Sequence, residues 1–136
     1  METLPDDDCF ALRQASRFIS QIYGQHLANV GLTTTQYSIL DRLHRHGDMT
    51  MHQLSMAMVM DRTSIVRALK PMQRDGLLES RRDGGRESTI ALMKAGVARL
   101  KKARPYWATA QAEFEERFGS QRIRALRSEL FDLTDD

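Results

Sequence analysis

The chain has 136 residues, with 20 Lys and Arg against 18 Asp and Glu, and a single cysteine. That length suits one domain, or one domain with a dimerisation extension. Cys9 alone excludes an intrachain disulfide and any multi-cysteine zinc site, and the longest apolar run, MAMVM at 56–60, is far short of the roughly 18 residues of a membrane span.

The start, METLPDDD, is acidic, unlike a signal or transit peptide, so a cytoplasmic location is expected. Net charge is only +2, but it is unevenly placed. Asp61 to Lys102 holds eleven Lys and Arg against five Asp and Glu, a net of +6, which leaves −4 for the rest. Such asymmetry points to an anionic partner for the middle of the chain. The basic stretch lacks the exposed aromatic or Leu-rich face that enters a membrane surface, so nucleic acid is the expected partner.

Cys9 to Val30 has helical spacing. Leu12, Ala15, Ile19, Ile22, Tyr23, Leu27 and Val30 form one stripe, expected to face inward, and Gly31 closes the helix. Thr33 to Gln36 is a capping box that opens a second helix, with Tyr37, Ile39, Leu40 and Leu43 on its buried side and Gly47 past its end. Thr50 to Gln53 is another capping box, before a short helix expected to bury Leu54, Ala57 and Met58.

A break at Met60-Asp61 leads into the stretch 61–76, DRTSIVRALKPMQRDG. Asp61 is a good N-cap, and Gly76 can adopt the left-handed conformation that stops a helix. Ile65, Leu69 and Met72 recur on one side. The other face carries Arg62, Thr63, Ser64, Arg67, Lys70 and Arg74, where cations suit phosphates and hydroxyls suit base edges. Pro71 is expected to bend this helix near Arg67. Taken alone it would pass for a solvated amphipathic helix. Preceded by a short helix and a tight turn, it forms a helix-turn-helix pattern, although the turn lacks glycine.

Leu77 to Arg82 and Ser88 to Leu92 are strand candidates around the hairpin tip Asp83-Gly84-Gly85-Arg86. Arg81, Arg82 and Arg86 make that hairpin basic, as in a winged helix-turn-helix whose wing reaches phosphates or a minor groove. From Lys94 a long helical pattern runs towards Phe118, with Val97, Leu100, Trp107, Ala110, Phe114 and Phe118 on its apolar side and an expected kink at Pro105. A last helix after Gly119-Ser120 carries Ile123, Leu126, Leu130 and Leu133. The terminal helices hold more apolar surface than a small winged domain can cover, which points to a homodimer.

The fold class expected is therefore mainly α: a winged helix-turn-helix with a two-to-three-stranded β wing and N- and C-terminal helices forming a dimerisation domain. Residues 31–93 would be the DNA-binding part, and 1–30 with 94–136 the dimerisation helices. No nucleophile–base pair or metal constellation is apparent, so neither enzyme activity nor a cofactor nor a metal site is expected. His44, His46 and Asp48 are read as a solvated helix end. The rival from another class is a protein–protein adaptor on the same fold, against which the basic wing argues.

The order of elements resembles the MarR family of bacterial transcription regulators. The residues that carry this are Gly31-Leu-Thr-Thr-Thr-Gln36, Met60-Asp-Arg-Thr-Ser-Ile-Val-Arg67, Gly76-Leu77-Leu78, Arg86 and the segment from Leu92 to Gly96. The resemblance implies a homodimer on palindromic double-stranded operator DNA, usually a repressor released by a small ligand or an oxidant. It implies DNA contacts at Arg62, Thr63, Ser64 and Arg67, a backbone contact at Lys70, and a wing contact at Arg86, with Arg82 beside it. Two positions depart from the family pattern. Gly84 stands where an aspartate often pairs with the wing arginine, and Met93 replaces a threonine N-cap.

The segment Asp8 to Arg13 is similar to that of organic-hydroperoxide-sensing members, in which a cysteine near the start of the first helix is oxidised. Cys9 and Tyr23 match that pattern, whereas Arg13 replaces a tyrosine. Arg13, one turn from Cys9, could lower the thiol pKa or bind a carboxylate ligand. Without a second cysteine, sensing would pass through a sulfenic acid or a mixed disulfide. A small residue buried at a dimer interface is the plainer reading of Cys9. Tyr106 and Trp107, after Pro105, are more often core than a ligand cage. They nonetheless sit where the family's effector crevice, between the first, second and fifth helices, would be, and Tyr37 is a further candidate for it. The effector expected is a small aromatic or carboxylate compound, or an organic peroxide.

Overall fold

The computed structural model describes residues 6–82 and 87–135. Helix α1 spans Asp8–Leu27 and opens on Asp7, whose carboxylate accepts from the Phe10 amide at 2.9 Å. It tightens into a 3-10 turn at Ala28–Val30 before Gly31, so the expected single helix to Val30 ends in a different coil. Helix α2 (Thr34–His46) starts on a complete capping box: Thr33 Oγ1 accepts from the Gln36 amide and Gln36 Oε1 from the Thr33 amide. Helix α3 (Met51–Met58) repeats the device with Thr50 and Gln53.

Between them lies β1 (Met49–Thr50), then after α3 come α4 (Arg62–Arg74), β2 (Leu78–Arg81), β3 (Thr89–Leu92), α5 (Lys94–Phe118) and α6 (Ser120–Thr134). The sheet order is β1-β3-β2, antiparallel throughout, with Met49 opposite Ile90 and Leu78 opposite Leu92. Met93 supplies no side-chain cap to α5, as its replacement of a hydroxyl implies. Pro71 and Pro105 both lie inside helices that continue past them, so neither ends its element.

The main core gathers Leu27, Tyr37, Ile39, Leu40, Leu54, Ile65, Leu69, Met72, Leu78, Ile90 and Leu100. Every buried position expected on α2 and α4 is there. On α3 the inward residues are Met51 and Leu54, with Met58 half-buried. Ala57 is exposed, a correction to the expected stripe, because the eight-residue helix turns only its first face to the core.

Helix α1 needs a larger correction. Ile22, Tyr23 and Leu27 are buried, but Leu12 and Ala15 face solvent. Periodicity locates an apolar stripe without saying what covers it. Among the described residues, Asp8 to Phe18 remain exposed.

Candidate nucleic-acid interface

Two helix ends fix the presentation of α4. Asp61 Oδ1 accepts from the Ser64 amide at 2.7 Å, and this hydrogen bond holds the Asp61 carboxyl below the usual carboxylate range. At the other end the Gly76 amide donates to Gln73 O and the Leu77 amide to Met72 O, a Schellman pair around Gly76 at φ 73°. Helix α3 ends with the same pair, Val59 to Met56 and Met60 to Ser55. Here the left-handed position is taken by a β-branched residue, Val59 at φ 50° and ψ 48°. The missing glycine of the turn is thus a real departure, carried as backbone strain.

With Ile65, Leu69 and Met72 buried, the opposite face of α4 is turned outward. Arg62, Thr63, Arg67 and Lys70 are exposed and, with Val66, line an open groove of about 310 Å³. Ser64 is half-buried, its amide engaged by Asp61. None of Arg62, Arg67 and Lys70 is in an ion pair among the described residues. Exposed cations of this kind, of which Arg67 also lies in the field of the Asp61 carboxylate, are available to an external anion.

The wing is held from below. Its edge runs into the start of α3: the Met51 amide donates to Ser88 O at 2.9 Å, and the His52 amide to Glu87 Oε1 at 2.6 Å. Arg82 is exposed, and its Nε donates to Ser88 Oγ at 3.4 Å. Arg81 is engaged by Glu79 and Asp48. Arg86 and Gly84 lie outside the described residues.

The residues expected around an effector fall into two places. Trp107 stacks on Tyr37, with ring centroids 4.1 Å apart and planes 11° from parallel, and meets Tyr23 at 4.4 Å and 55°. Burial raises the pKa of both phenols; Glu115 adds to this at Tyr23, whereas Arg104 opposes it at Tyr37. Cys9 and Arg13 are not at this cluster. They lie in the exposed half of α1, and Cys9 precedes Tyr23 by fourteen residues, roughly 21 Å along a helix. One chain alone therefore does not assemble the five residues into one site.

The cluster contains a contact that helical spacing does not reveal. Arg104 Nη1 donates to Tyr37 Oη at 2.8 Å, and Arg104 Nη2 lies 2.9 Å from Asp41 Oδ1, an ion pair outside hydrogen-bond alignment. Asp41 also accepts from Arg45 Nε at 2.9 Å. Beside them is a crevice of about 410 Å³ bordered by Arg42, Met58, Trp107 and Phe131. The only available sequence signal was Arg104, one turn before Trp107. Among the described residues no group of three or more His, Cys, Asp or Glu could hold a metal ion. Among the described residues no helix is long and apolar enough to cross a membrane.

A short helix, a tight turn, a second helix with an exposed cationic face and a following antiparallel wing define a winged helix-turn-helix. A family model described as MarR family matches residues 32–85. The M. tuberculosis transcriptional regulator MosR is 32% identical, with a TM-score of 0.83 over 98% of this chain and 98% of that one. A structure of MosR in complex with DNA gives 32% identity and a TM-score of 0.85, covering 95% and 94%. CouR from Rhodococcus jostii RHA1, bound to p-coumaroyl-CoA, shares the fold at 19% identity, with a TM-score of 0.84 over 99% and 96%. Comparison with curated proteins gives no match. The chain belongs to the MarR family of transcriptional regulators, whose winged helix-turn-helix binds DNA.

Proposed function

We propose that the chain is a homodimeric repressor that binds a palindromic operator through α4 and the wing and is released by a small effector. The observation that carries this reading is the outward face of α4, where Arg62, Arg67 and Lys70 stand exposed beside Thr63 with no close ion pair among the described residues. Lys70, Arg62 and Arg82 supply phosphate contacts and hence salt-dependent affinity. Thr63, Ser64 and Arg67 read base edges, and Arg86 completes the wing contact. The DNA complex of MosR supports DNA as the partner of this fold.

Residues 31–93 form the DNA-binding part in this reading, and 1–30 with 94–136 the dimerisation helices. Phe10, Leu12 and Phe18 are exposed, and Ala15, Phe18, Ile19, Phe114, Phe118 and Leu126 line an almost wholly apolar groove of about 290 Å³. A second copy covers such a surface, which a soluble monomer rarely leaves bare. Twofold pairing sets two α4 helices in successive major grooves, about 34 Å apart.

The crevice at Trp107 and Arg104 is the effector site in this reading, with CouR as precedent for a ligand-bound member of the fold. Its stacked aromatic rings and the Arg42, Arg45 and Arg104 cations suit an aromatic carboxylate. A ligand there shifts the two α4 helices apart, and half-sites that must fit together then lose the operator. The second reading uses Cys9, whose exposed thiol is open to an organic peroxide within this chain.

The deciding experiment is a mobility shift with DNA from upstream of the chain's own gene, using the reduced protein, peroxide-treated protein and Cys9→Ser. Retention by reduced protein establishes the regulator. Loss on oxidation in wild type but not in Cys9→Ser assigns the peroxide reading. Indifference to peroxide, with aromatic carboxylates quenching Trp107 fluorescence and releasing DNA, assigns the ligand reading. No sequence-specific retention under any condition would sink both.

A further inference from the structure

The start of α3 has four amides to satisfy, and its own capping box reaches two of them, those of Thr50 and Gln53. Thr50 Oγ1 takes the Gln53 amide at 3.0 Å. The other two are taken by the returning edge of the wing, Ser88 O accepting from Met51 and Glu87 Oε1 from His52. Free amides at a helix start carry partial positive charge, so a carboxylate is the strongest acceptor available to them. Ser88 is the buried polar residue of the described chain, and its hydroxyl accepts from Arg82. A continuous set of hydrogen bonds thus runs from Arg82 through Ser88 to α3, with Glu87 clamping the same edge one residue earlier.

Electrostatics makes the choice of residue informative. Glu87 is a negative charge at the base of a basic wing, where it repels the phosphates that the wing would meet. If the residue were only surface decoration, removing its charge would tighten DNA binding.

We propose that Glu87 is a positioning residue for DNA binding, which fixes the Arg82-bearing edge of the wing against α3 and so sets the wing's angle relative to α4. This rests on the reading of α4 and the wing as the DNA-contacting surface. Glu87 touches no base or phosphate; it acts through the amide of His52.

The test uses the full chain and a duplex that the wild type itself enriches from a random-sequence library. Affinity and its salt dependence are measured for wild type, Glu87→Ala and Glu87→Gln, with thermal unfolding as the folding control. Glutamine keeps an acceptor oxygen for the His52 amide and removes the charge; alanine removes both. Glu87→Ala is expected to bind about five- to tenfold more weakly, the effect of losing a helix-cap hydrogen bond, and with a salt slope shallower by about one phosphate contact. Glu87→Gln is expected to match wild type or bind more tightly. If alanine unfolds the chain, Glu87→Asp, which keeps the charge but shortens the reach, carries the prediction of weaker binding. Alanine binding as tightly as wild type, or more tightly, with an unchanged slope, overturns the proposal. A wild-type chain that enriches no duplex overturns the regulator reading first, and this proposal with it.

Discussion

Gly96, in the first turn of α5, stands so close to Leu77 that a Cβ added there would lie 2.1 Å from the Leu77 carbonyl oxygen and 2.6 Å from Leu92 Cδ1. That carbonyl is already committed, accepting from the Met93 amide at 3.0 Å. The end of α4, the last strand and the long helix α5 therefore meet at a point that admits no side chain. Gly96→Ala gains about 1 kcal/mol of helix propensity, but displacing backbone in a packed core costs about 1–3 kcal/mol and outweighs it. Urea unfolding is expected to show a lower midpoint for Gly96→Ala, and a stabilised variant would refute the close approach.

Arg67→Ala separates the two kinds of DNA contact. A base-edge hydrogen bond from Arg67 predicts a loss of about 1–3 kcal/mol on operator DNA, with little change on scrambled duplex. Equal losses on both would make Arg67 a phosphate contact, and the reading of bases would then fall to Thr63 and Ser64. Fluorescence anisotropy on paired probes distinguishes the outcomes.

Asp61 makes the start of α4 sensitive to acid. Its carboxyl pKa is lowered in the folded chain by the Ser64 amide. A depressed folded pKa means that the unfolded chain binds the proton more readily, so stability from this group is full at neutral pH. It is lost as pH falls through the ordinary carboxylate range and below. Asp61→Asn keeps a capping oxygen without a titrating proton. Its melting temperature is expected to fall less steeply than wild type on the acid side, and parallel curves would show that the cap does not respond to pH.

Phe18→Glu tests the pairing of two copies. The ring is 45% exposed and borders the apolar groove between α1, α5 and α6, with Arg117 over its face at 5.2 Å. If a second copy covers this groove, a carboxylate placed there would be desolvated on pairing. Sedimentation is expected to show a wild-type dimer and a Phe18→Glu monomer that retains its helical circular dichroism. A monomeric wild type would remove the need for a partner over α1.

How much of this was legible beforehand follows the range of each interaction. Thr33 with Gln36, Thr50 with Gln53, Asp61, and the stop at Gly76 act within a few residues, and all four stand as the sequence predicts. The strand at Met49–Thr50 did not stand out, because two residues carry no alternation and are held only by pairing with Thr89 and Ile90. Arg104 and Asp41 are joined across 63 positions, and no periodicity reports such a pair. The exposed half of α1 was misplaced for a different reason. Its apolar stripe is present in the sequence, but periodicity does not say what covers a stripe, and among the described residues its N-terminal half stays exposed. The candidate DNA face was easier to find, since burying Ile65, Leu69 and Met72 leaves Arg62, Arg67 and Lys70 nowhere else to point.

The left-handed backbone at Val59 has a consequence for how readily this protein could be made sturdier. The side chain is 72% exposed, so its two methyl groups gain little burial in return for an unfavourable torsion. Glycine or asparagine would adopt the same geometry at lower torsional cost, and a change at Val59 would leave every core residue in place. The joint between α3 and α4 is thus a site where directed evolution for heat resistance would find an early gain. A valine at that joint leaves stability in reserve.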